Sequence, residues 1–339
     1  MSVTIKDVAK AANVSPSTVS RVISDSPKIS EQTKKRVRKV MQELGYHPNY
    51  IARSLASNKP NVIGIVFPRS GNLAFQNPFF SEVLRGITSE ANVVKYGIEL
   101  AAGSNKEEIY DNVVQMVQGR RVDGIIMLYS QKDDKIIKYL QKMNFPFVMI
   151  GQPYDQKERI THIDNDNISA AMEGTNYLIQ LGHENIGFIG GNKNLTVTIN
   201  RLEGYKRALK KANLLINERH IIYEEFLISG GKHGVEKLLN TKTPPTALLV
   251  TDDLMSLGVL RTLKEMDKQV PEDLSIVSFN NSMFAELSNP PLTSVDISIP
   301  ELGEQAIKQL IAHINNPREP VKRVIIPHKI IKRKSCLRK

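Results

Sequence analysis

Short apolar runs alternate with stretches of helical periodicity from residue 61 to the end of the chain. The apolar runs predict β-strands at 62–67, 98–102, 124–128, 147–150, 186–190, 247–250 and 275–279. The stretches between them predict helices at about 79–95, 105–119, 133–143, 167–181, 200–213, 232–240, 253–266 and 300–314. This alternation is typical of βαβ units, which build parallel sheets with helices on both faces. About 270 residues is too long for one such sheet, so we expect two α/β lobes with a ligand cleft between them.

The first 46 residues carry a different pattern, with three short amphipathic segments. Thr4 is expected to cap the first helix, and Asn13 to adopt the left-handed conformation in the turn that follows. Ser15 as N-cap and Pro16 at the first helical position start the second helix. Three short helices with a tight turn between the first two form a helix-turn-helix, although any small three-helix bundle shares the pattern.

The formal charge of +11 is distributed unevenly. Residues 1–60 hold eleven Lys and Arg against four acids, and residues 318–339 hold nine against one. Residues 15–24 contain no acid, which suits a helix that approaches phosphates. A basic head therefore indicates a polyanionic partner, whereas the basic tail is interpreted as a solvated face.

The location expected from the sequence is the cytoplasm. Cys336 is the one cysteine, so no internal disulfide forms, which fits a reducing compartment. The sequence shows no N-terminal apolar segment typical of a signal peptide. It also has no apolar run of about 18 residues, so no membrane span is expected.

Several motifs, in order along the chain, resemble the LacI/GalR repressor family. They are VTIKDVAKAANVSPSTVSRVI at 3–23, LGYHPN at 44–49, ARSL at 52–55, NPFF at 77–80, GH at 182–183 and GFIGG at 187–191. The resemblance implies a small all-α helix-turn-helix head and an α/β two-lobed body like that of periplasmic binding proteins, with parallel sheets. It implies a DNA-binding head at 1–46, a hinge helix and linker at 47–60, and an effector-binding and dimerisation body at 61–339. Within the body, the N-lobe is expected at about 61–160 plus 291–318, and the C-lobe at about 161–290 plus 319–339.

The resemblance also implies that the second helix enters the major groove of double-stranded operator DNA. The DNA contacts expected from it are Thr4, Ser15, Pro16, Ser17, Thr18, Ser20, Arg21, Tyr46, Asn49, Arg53 and Leu55. Arg21 suits bidentate contact with guanine, while Pro16 departs from the polar or aromatic residues of relatives and offers apolar contact. Leu55 matches the family residue that wedges into the minor groove. Because one head reads few base pairs, a homodimer on a near-palindromic site is expected.

The body is expected to bind a small effector between its lobes. The contacts implied by the family are Phe79, Phe80, Arg201, Phe226, Asp252 and Asn280. Asp253 is expected to cap the next helix. Asn280 stands where many relatives carry aspartate, and its neutral amide favours an uncharged polyol. The runs SPST at 15–18 and SFNNS at 278–282 are similar to the family branch that represses maltose genes in Gram-positive bacteria, which implies a sugar such as maltose.

Other functional classes find little support in the sequence. It has no G-x-G-x-x-G, P-loop, G-x-S-x-G or H-E-x-x-H motif, so an enzyme is not predicted. Its seven histidines include no pair at helical spacing, so neither a metal nor another cofactor is expected. Two alternatives within the family stay open, a global catabolite regulator controlled by a phosphoprotein corepressor and a sensor of a different sugar or metabolite.

Overall fold

A computed structural model describes residues 3–46, 60–68 and 74–339. The chain divides into two compact units, Met1–Pro60 and Asn61–Lys339. The hinge helix predicted within 47–60 lies outside the described residues, apart from Pro60.

The head contains the three predicted helices, α1 (Ile5–Ala11), α2 (Pro16–Ile23) and α3 (Glu31–Glu43). Thr4 caps α1 in a capping box with Asp7, and Ser15 caps α2 by accepting the backbone N–H of Thr18 at 3.2 Å. Asn13 has a φ of 50°, the left-handed conformation expected for this turn. These three local predictions are confirmed.

The helices of the head pack around a small apolar core, formed by Val8, Ala9, Ala12, Val19, Val22 and Val37. Lys34 of α3 is also buried, and its Nζ lies 3.1 Å from Asp25 Oδ1 and 2.9 Å from Glu31 Oε1. Asp25 lies after α2, so this ion pair ties the end of α2 to α3. The sequence does not predict this contact, because a lysine on a basic helix is usually exposed to solvent.

Twelve strands and nine further α-helices form the described part of the body. The strands are β1 (Val62–Val66), β2 (Gly97–Ala101), β3 (Gly124–Met127), β4 (Phe147–Ile150), β5 (His162–Asn165), β6 (Ile186–Gly190), β7 (Ile221–Tyr223), β8 (Ala247–Val250), β9 (Ser275–Asn280), β10 (Thr293–Asp296), β11 (Arg323–Ile326) and β12 (Lys329–Ile331). The helices are α4 (Pro78–Val93), α5 (Lys106–Gln118), α6 (Lys135–Lys142), α7 (Asn167–Gln180), α8 (Thr196–Lys211), α9 (Ile228–Leu239), α10 (Asp253–Glu265), α11 (Met283–Leu287) and α12 (Ile299–Asn315), with a 3₁₀ turn at Glu218–His220.

The strands form two six-stranded sheets, and each sheet is the core of one lobe. The first lobe has the order β11-β5-β4-β3-β1-β2, with every neighbouring pair parallel. The second lobe has the order β12-β10-β9-β8-β6-β7, in which β12 alone runs antiparallel to its neighbour. The prediction of two lobes with mainly parallel sheets is confirmed.

All three predicted lobe boundaries are wrong. Residues 162–165 were expected in the C-lobe, but β5 pairs with β4 in the first sheet. Residues 293–296 were expected in the N-lobe, but β10 pairs with β9 in the second sheet. Residues 323–326 were expected in the C-lobe, but β11 pairs with β5 in the first sheet. The chain therefore passes between the lobes three times, after β5, after β10 and after β11. The prediction failed because strand pairing decides the sheet, and β5, β10 and β11 were not predicted as strands.

Five strands were not predicted at all: β5, β7, β10, β11 and β12. They are short and contain polar or charged residues. All four residues of β5, HIDN, are nevertheless buried, because the strand lies between β4 and β11. Apolar periodicity cannot identify such a strand, since its burial comes from neighbours far away in the sequence.

Helix α9 begins at Ile228, four residues before its predicted start at about 232. Gly230 and Gly231 lie inside the helix. A Cβ on Gly231 would stand 1.8 Å from the carbonyl oxygen of Met255 in α10. Glycine is therefore required there because the two helices pack at backbone contact.

The C-terminal tail packs against the second lobe. Ser335 is fully buried; its hydroxyl donates to the carbonyl of Ile276 at 2.6 Å and accepts the N–H of Thr293 at 2.8 Å. The interpretation of the tail as a solvated face is therefore wrong at this residue. Within the described residues, the structure contains no helix with the length and apolar character that a membrane crossing requires.

Candidate functional site

A cavity of about 150 Å³ lies between the two lobes. The structure brings all six predicted effector residues to its wall: Phe79, Phe80, Arg201, Phe226, Asp252 and Asn280. They come from α4, α8, α10 and the carboxyl ends of strands, where open α/β sheets usually bind ligands. Contact between these side chains and an effector remains a prediction.

Arg201 projects from α8 and is 4% exposed. Its Nε donates to Asn167 Oδ1 at 2.8 Å, and one terminal nitrogen donates to the carbonyl of Thr251 at 2.7 Å. The guanidinium also lies 4.2 Å from the ring centre of Phe279, a cation–π contact. Burial lowers the pKa of Arg201 to about 10, so the group stays charged at neutral pH. Among described residues the other terminal nitrogen has no hydrogen-bond partner, so it is available to a ligand oxygen.

Asp252 is the N-cap of α10, and it connects the two lobes. Its Oδ1 accepts the backbone N–H of Leu254 at 2.8 Å and that of Met255 at 3.2 Å. Its Oδ2 accepts the amides of Asn280 at 2.9 Å and of Asn77, in the first lobe, at 3.0 Å. Burial raises the pKa of Asp252 to about 6, although the hydrogen bond from Asn77 opposes that rise. With four donors, the carboxylate can accept a ligand hydroxyl only by releasing one of these partners.

Asp253, expected to cap α10, does not do so. Its Oδ1 accepts the hydroxyls of Ser278 at 2.6 Å and Ser294 at 2.9 Å, and its Oδ2 accepts the N–H of Ser282 at 2.7 Å. Its side chain points into the second lobe and holds β9 and β10 together. The cap of α10 is therefore the neighbouring Asp252 and not Asp253.

The aromatic residues form the apolar walls of the cavity. The rings of Phe79 and Phe80 meet edge to face at 5.3 Å, and Phe80 packs on the buried Phe67 at 5.7 Å. Phe226 rests on Gly191, where a Cβ would lie 2.2 Å from the phenyl ring. These flat apolar faces suit the C–H face of a sugar ring, while the polar groups suit its hydroxyls.

Asn77, Asp164, Asn167 and Tyr129 also line the cavity and were missed from the sequence. Asp164 is 6% exposed and accepts the Asn167 amide at 2.9 Å. Burial raises the pKa of Asp164 to about 7, while Arg201 and nearby backbone N–H groups lower it. The signal that could have identified Asn77 is its position before Pro78, which is typical of an N-cap.

The exposed face of α2 presents the predicted base-reading residues. Ser15, Pro16, Ser17, Ser20 and Arg21 are exposed, whereas Thr18 is half-buried. The hydroxyl of Ser15 also lies 2.8 Å from that of Ser17 and 2.9 Å from that of Thr18. This face carries no carboxylate, and it begins at a helix N-terminus, where backbone N–H groups favour phosphate.

The remaining predicted DNA contacts are placed differently. Thr4 is exposed, and its hydroxyl donates to Asp7 Oδ2 at 2.7 Å within the capping box. Tyr46 is half-buried and packs on the core of the head. Asn49, Arg53 and Leu55 lie outside the described residues. In the part of the chain that the structure describes, no group of three or more metal-ligating side chains is placed to hold a metal ion.

Comparison with known proteins gives a consistent assignment. Residues 4–49 match the model for bacterial regulatory proteins of the lacI family, and residues 175–336 match that for a periplasmic binding protein-like domain. The chain is 42% identical to the HTH-type transcriptional regulator MalR of Streptococcus pneumoniae, over 98% of this chain and 100% of that protein.

Solved structures give the same result over the full length. The lac repressor dimer bound to operator and the anti-inducer ONPF has a TM-score of 0.84 at 26% identity, covering 99% of this chain and 100% of that chain. The complex of the transcriptional regulator CelR with cellobiose has a TM-score of 0.78 at 28% identity, covering 98% and 99%. Both likenesses include the head and the two lobes.

Proposed function

The chain belongs to the LacI family of bacterial regulatory proteins, and from that premise we propose that it represses carbohydrate-utilisation genes under the control of a sugar bound between its lobes. It is a DNA-binding transcriptional regulator and not an enzyme. The observation that carries the sugar proposal is the composition of the cavity, in which aromatic faces lie beside a few fixed polar groups.

The charges around the cavity favour a neutral ligand. Arg201 is the one cationic side chain among the described lining residues, and the carboxyl groups of Asp164 and Asp252 lie near it. An anionic effector would gain one cation but face three acidic side chains of the lining, Asp164, Glu225 and Asp252, whereas a polyol can donate to the acids and accept from the arginine. The neutral amide of Asn280 adds no charge to this set. Maltose is proposed as the sugar because of the name of the relative MalR.

The head is proposed to read the operator through α2. Arg21 would contact a guanine, and the basic residues of α3 would add attraction to the phosphates. We further propose that the protein works as a homodimer, because one head covers too few base pairs for a specific site. Sugar binding would change how the lobes are held and thereby the affinity for DNA.

The proposal is tested by titrating a panel of sugars into the protein and into its operator complex at one salt concentration. Arg201→Ala should abolish sugar binding and leave operator binding without sugar intact. Arg207→Ala is the matched control, since Arg207 lies on the same helix but is exposed and pairs with Glu203. An R201A protein that is folded and binds sugar as tightly as R207A would contradict the proposed site. If no sugar binds the unmodified protein, a sugar is not the effector.

A further inference from the structure

Two consecutive residues at the carboxyl end of β9 have a left-handed backbone. Asn280 has a φ of 101° and Asn281 a φ of 51°. Residues with a Cβ rarely adopt a positive φ, and such a conformation persists only where the surrounding contacts hold it. Asn280 lines the cavity, and its amide donates to Asp252 Oδ2. The direction of this amide therefore depends on the contacts that hold the turn after β9.

Asn281 is held by three contacts, which we name the Asn281 clamp. Its backbone N–H donates to Ser294 Oγ at 3.0 Å. Its side-chain nitrogen donates to Asp296 Oδ2 at 3.3 Å, and its side-chain oxygen accepts a terminal nitrogen of Arg333 at 2.7 Å. A cation at the oxygen and a carboxylate at the nitrogen fix the orientation of this amide, because the reversed amide would present a donor to the cation and an acceptor to the carboxylate.

Arg333 belongs to the basic C-terminal tail but is half-buried. Its other terminal nitrogen donates to the carbonyl of Leu292 at 2.8 Å, and its backbone N–H donates to Thr293 Oγ1 at 2.9 Å. The buried Ser335 ties the same tail to β9 and β10 through Ile276 and Thr293. The guanidinium is therefore placed by an anchored backbone, and it connects the tail to the turn after β9.

We propose that Arg333 is a positioning residue for the effector site, which acts by holding Asn281 and, through it, the left-handed backbone of Asn280. Without Arg333, Asn281 loses its one charge-assisted bond to a cation, and the turn relaxes toward negative φ. The Asn280 amide then moves away from Asp252 and from the ligand space. The tail thus controls sugar affinity without touching the sugar. The effect on sugar affinity rests on the proposed function, whereas the position of Asn280 does not.

Crystal structures of two arginine variants of the full-length protein, without sugar, test the position of Asn280 directly. Arg333→Met keeps an unbranched apolar side chain and removes both guanidinium bonds. Arg338→Met is the matched control, since Arg338 is exposed on the same tail. In R333M we expect Asn280 to lose its positive φ and its bond to Asp252, while R338M keeps both. An R333M structure in which both features persist would overturn the proposal.

Two substitutions of Asn281 separate its backbone conformation from its side-chain contacts. Asn281→Gly and Asn281→Ala both remove the bonds to Arg333 and Asp296. Glycine accepts a positive φ without steric cost, whereas alanine does not. Maltose affinity in calorimetry should fall by about fivefold or more in N281A and in R333M, but stay within about twofold of the native value in N281G. Equal affinities of N281A and N281G would show that the left-handed backbone is not what the clamp preserves.

A failure of the proposed function can be told apart from a failure of the role of Arg333. If the native protein binds no sugar of the panel, the sugar function fails, and the position of Asn280 in the R333M and R338M crystals still decides what Arg333 does. If the native protein binds maltose and R333M binds it as tightly, Arg333 does not position the site. Operator affinity without sugar should be equal in the native protein, R333M and R338M, because neither substitution lies in the head.

Discussion

Replacing Asp164 with asparagine is expected to make the body more stable, by an amount that grows with pH. Burial raises the pKa of this carboxyl from 3.8 to about 7. The folded protein therefore holds the proton more tightly than the unfolded chain does. The contribution of this group to the free energy of unfolding is fully present below about pH 4, and it is lost as the pH rises through about 7. Asparagine keeps the acceptor for the Asn167 amide and never carries the charge.

The size of the effect follows from the pKa difference. One pKa unit corresponds to about 1.4 kcal/mol, so the full loss in the native protein is roughly 4 kcal/mol. About 3 kcal/mol of it falls between pH 5 and pH 8. For a body of this length, each kcal/mol moves the melting temperature by about 2 °C. The melting temperature of D164N relative to the native protein should therefore rise by roughly 5 °C between these two pH values.

Scanning calorimetry at pH 5, 6.5 and 8 measures this difference. Asp155→Asn is the control, since it removes the same charge from an exposed loop position and should give a difference that changes little with pH. If the melting temperature of D164N differs from that of the native protein by the same amount at all three pH values, burial of this carboxyl does not raise its pKa. A difference that shrinks as the pH rises would show that the carboxylate is stabilised in the fold.

Three further substitutions test separate parts of the site. Asn280→Asp replaces a donor to Asp252 with a second carboxylate. In urea denaturation it should lower the free energy of unfolding of the body by about 2 kcal/mol at pH 8 and by less at pH 5. Equal decreases at the two pH values would contradict this. Gly191→Ala places a Cβ 2.2 Å from the Phe226 ring and displaces that ring. The affinity for sugar, measured by calorimetry, should therefore fall by about tenfold or more. An unchanged affinity would show that Phe226 does not contact the sugar. Arg21→Ala should relax preference at one base pair of each half-site in a binding-site selection, and an unchanged consensus would contradict guanine contact.

The head could be predicted from local chemistry, because its signals lie within a few residues of one another. The caps at Thr4 and Ser15 and the left-handed turn at Asn13 depend only on neighbours in the chain. The burial of Lys34 was not predicted, because its partner Asp25 comes within ion-pair distance only once the turn after α2 has folded.

The site was predicted in part, and the omissions share a physical reason. The six effector residues came from the family resemblance, and the structure brings them to one cavity. Asn77 and Asp252 form a hydrogen bond between the two lobes although they are 175 residues apart in the sequence. No local sequence pattern shows which of the adjacent residues Asp252 and Asp253 accepts that amide. Asp164 was missed because it stands on a strand too polar to be predicted.

The most direct test of the account is a selection from random duplexes by the full-length protein at one salt concentration, followed by titration of maltose and glucose against the selected duplex. We predict enrichment of a near-palindromic sequence and a change in affinity for it when sugar is added. Retention of all duplexes alike, with or without sugar, would contradict the claim that a base-reading head is governed by a sugar-binding body.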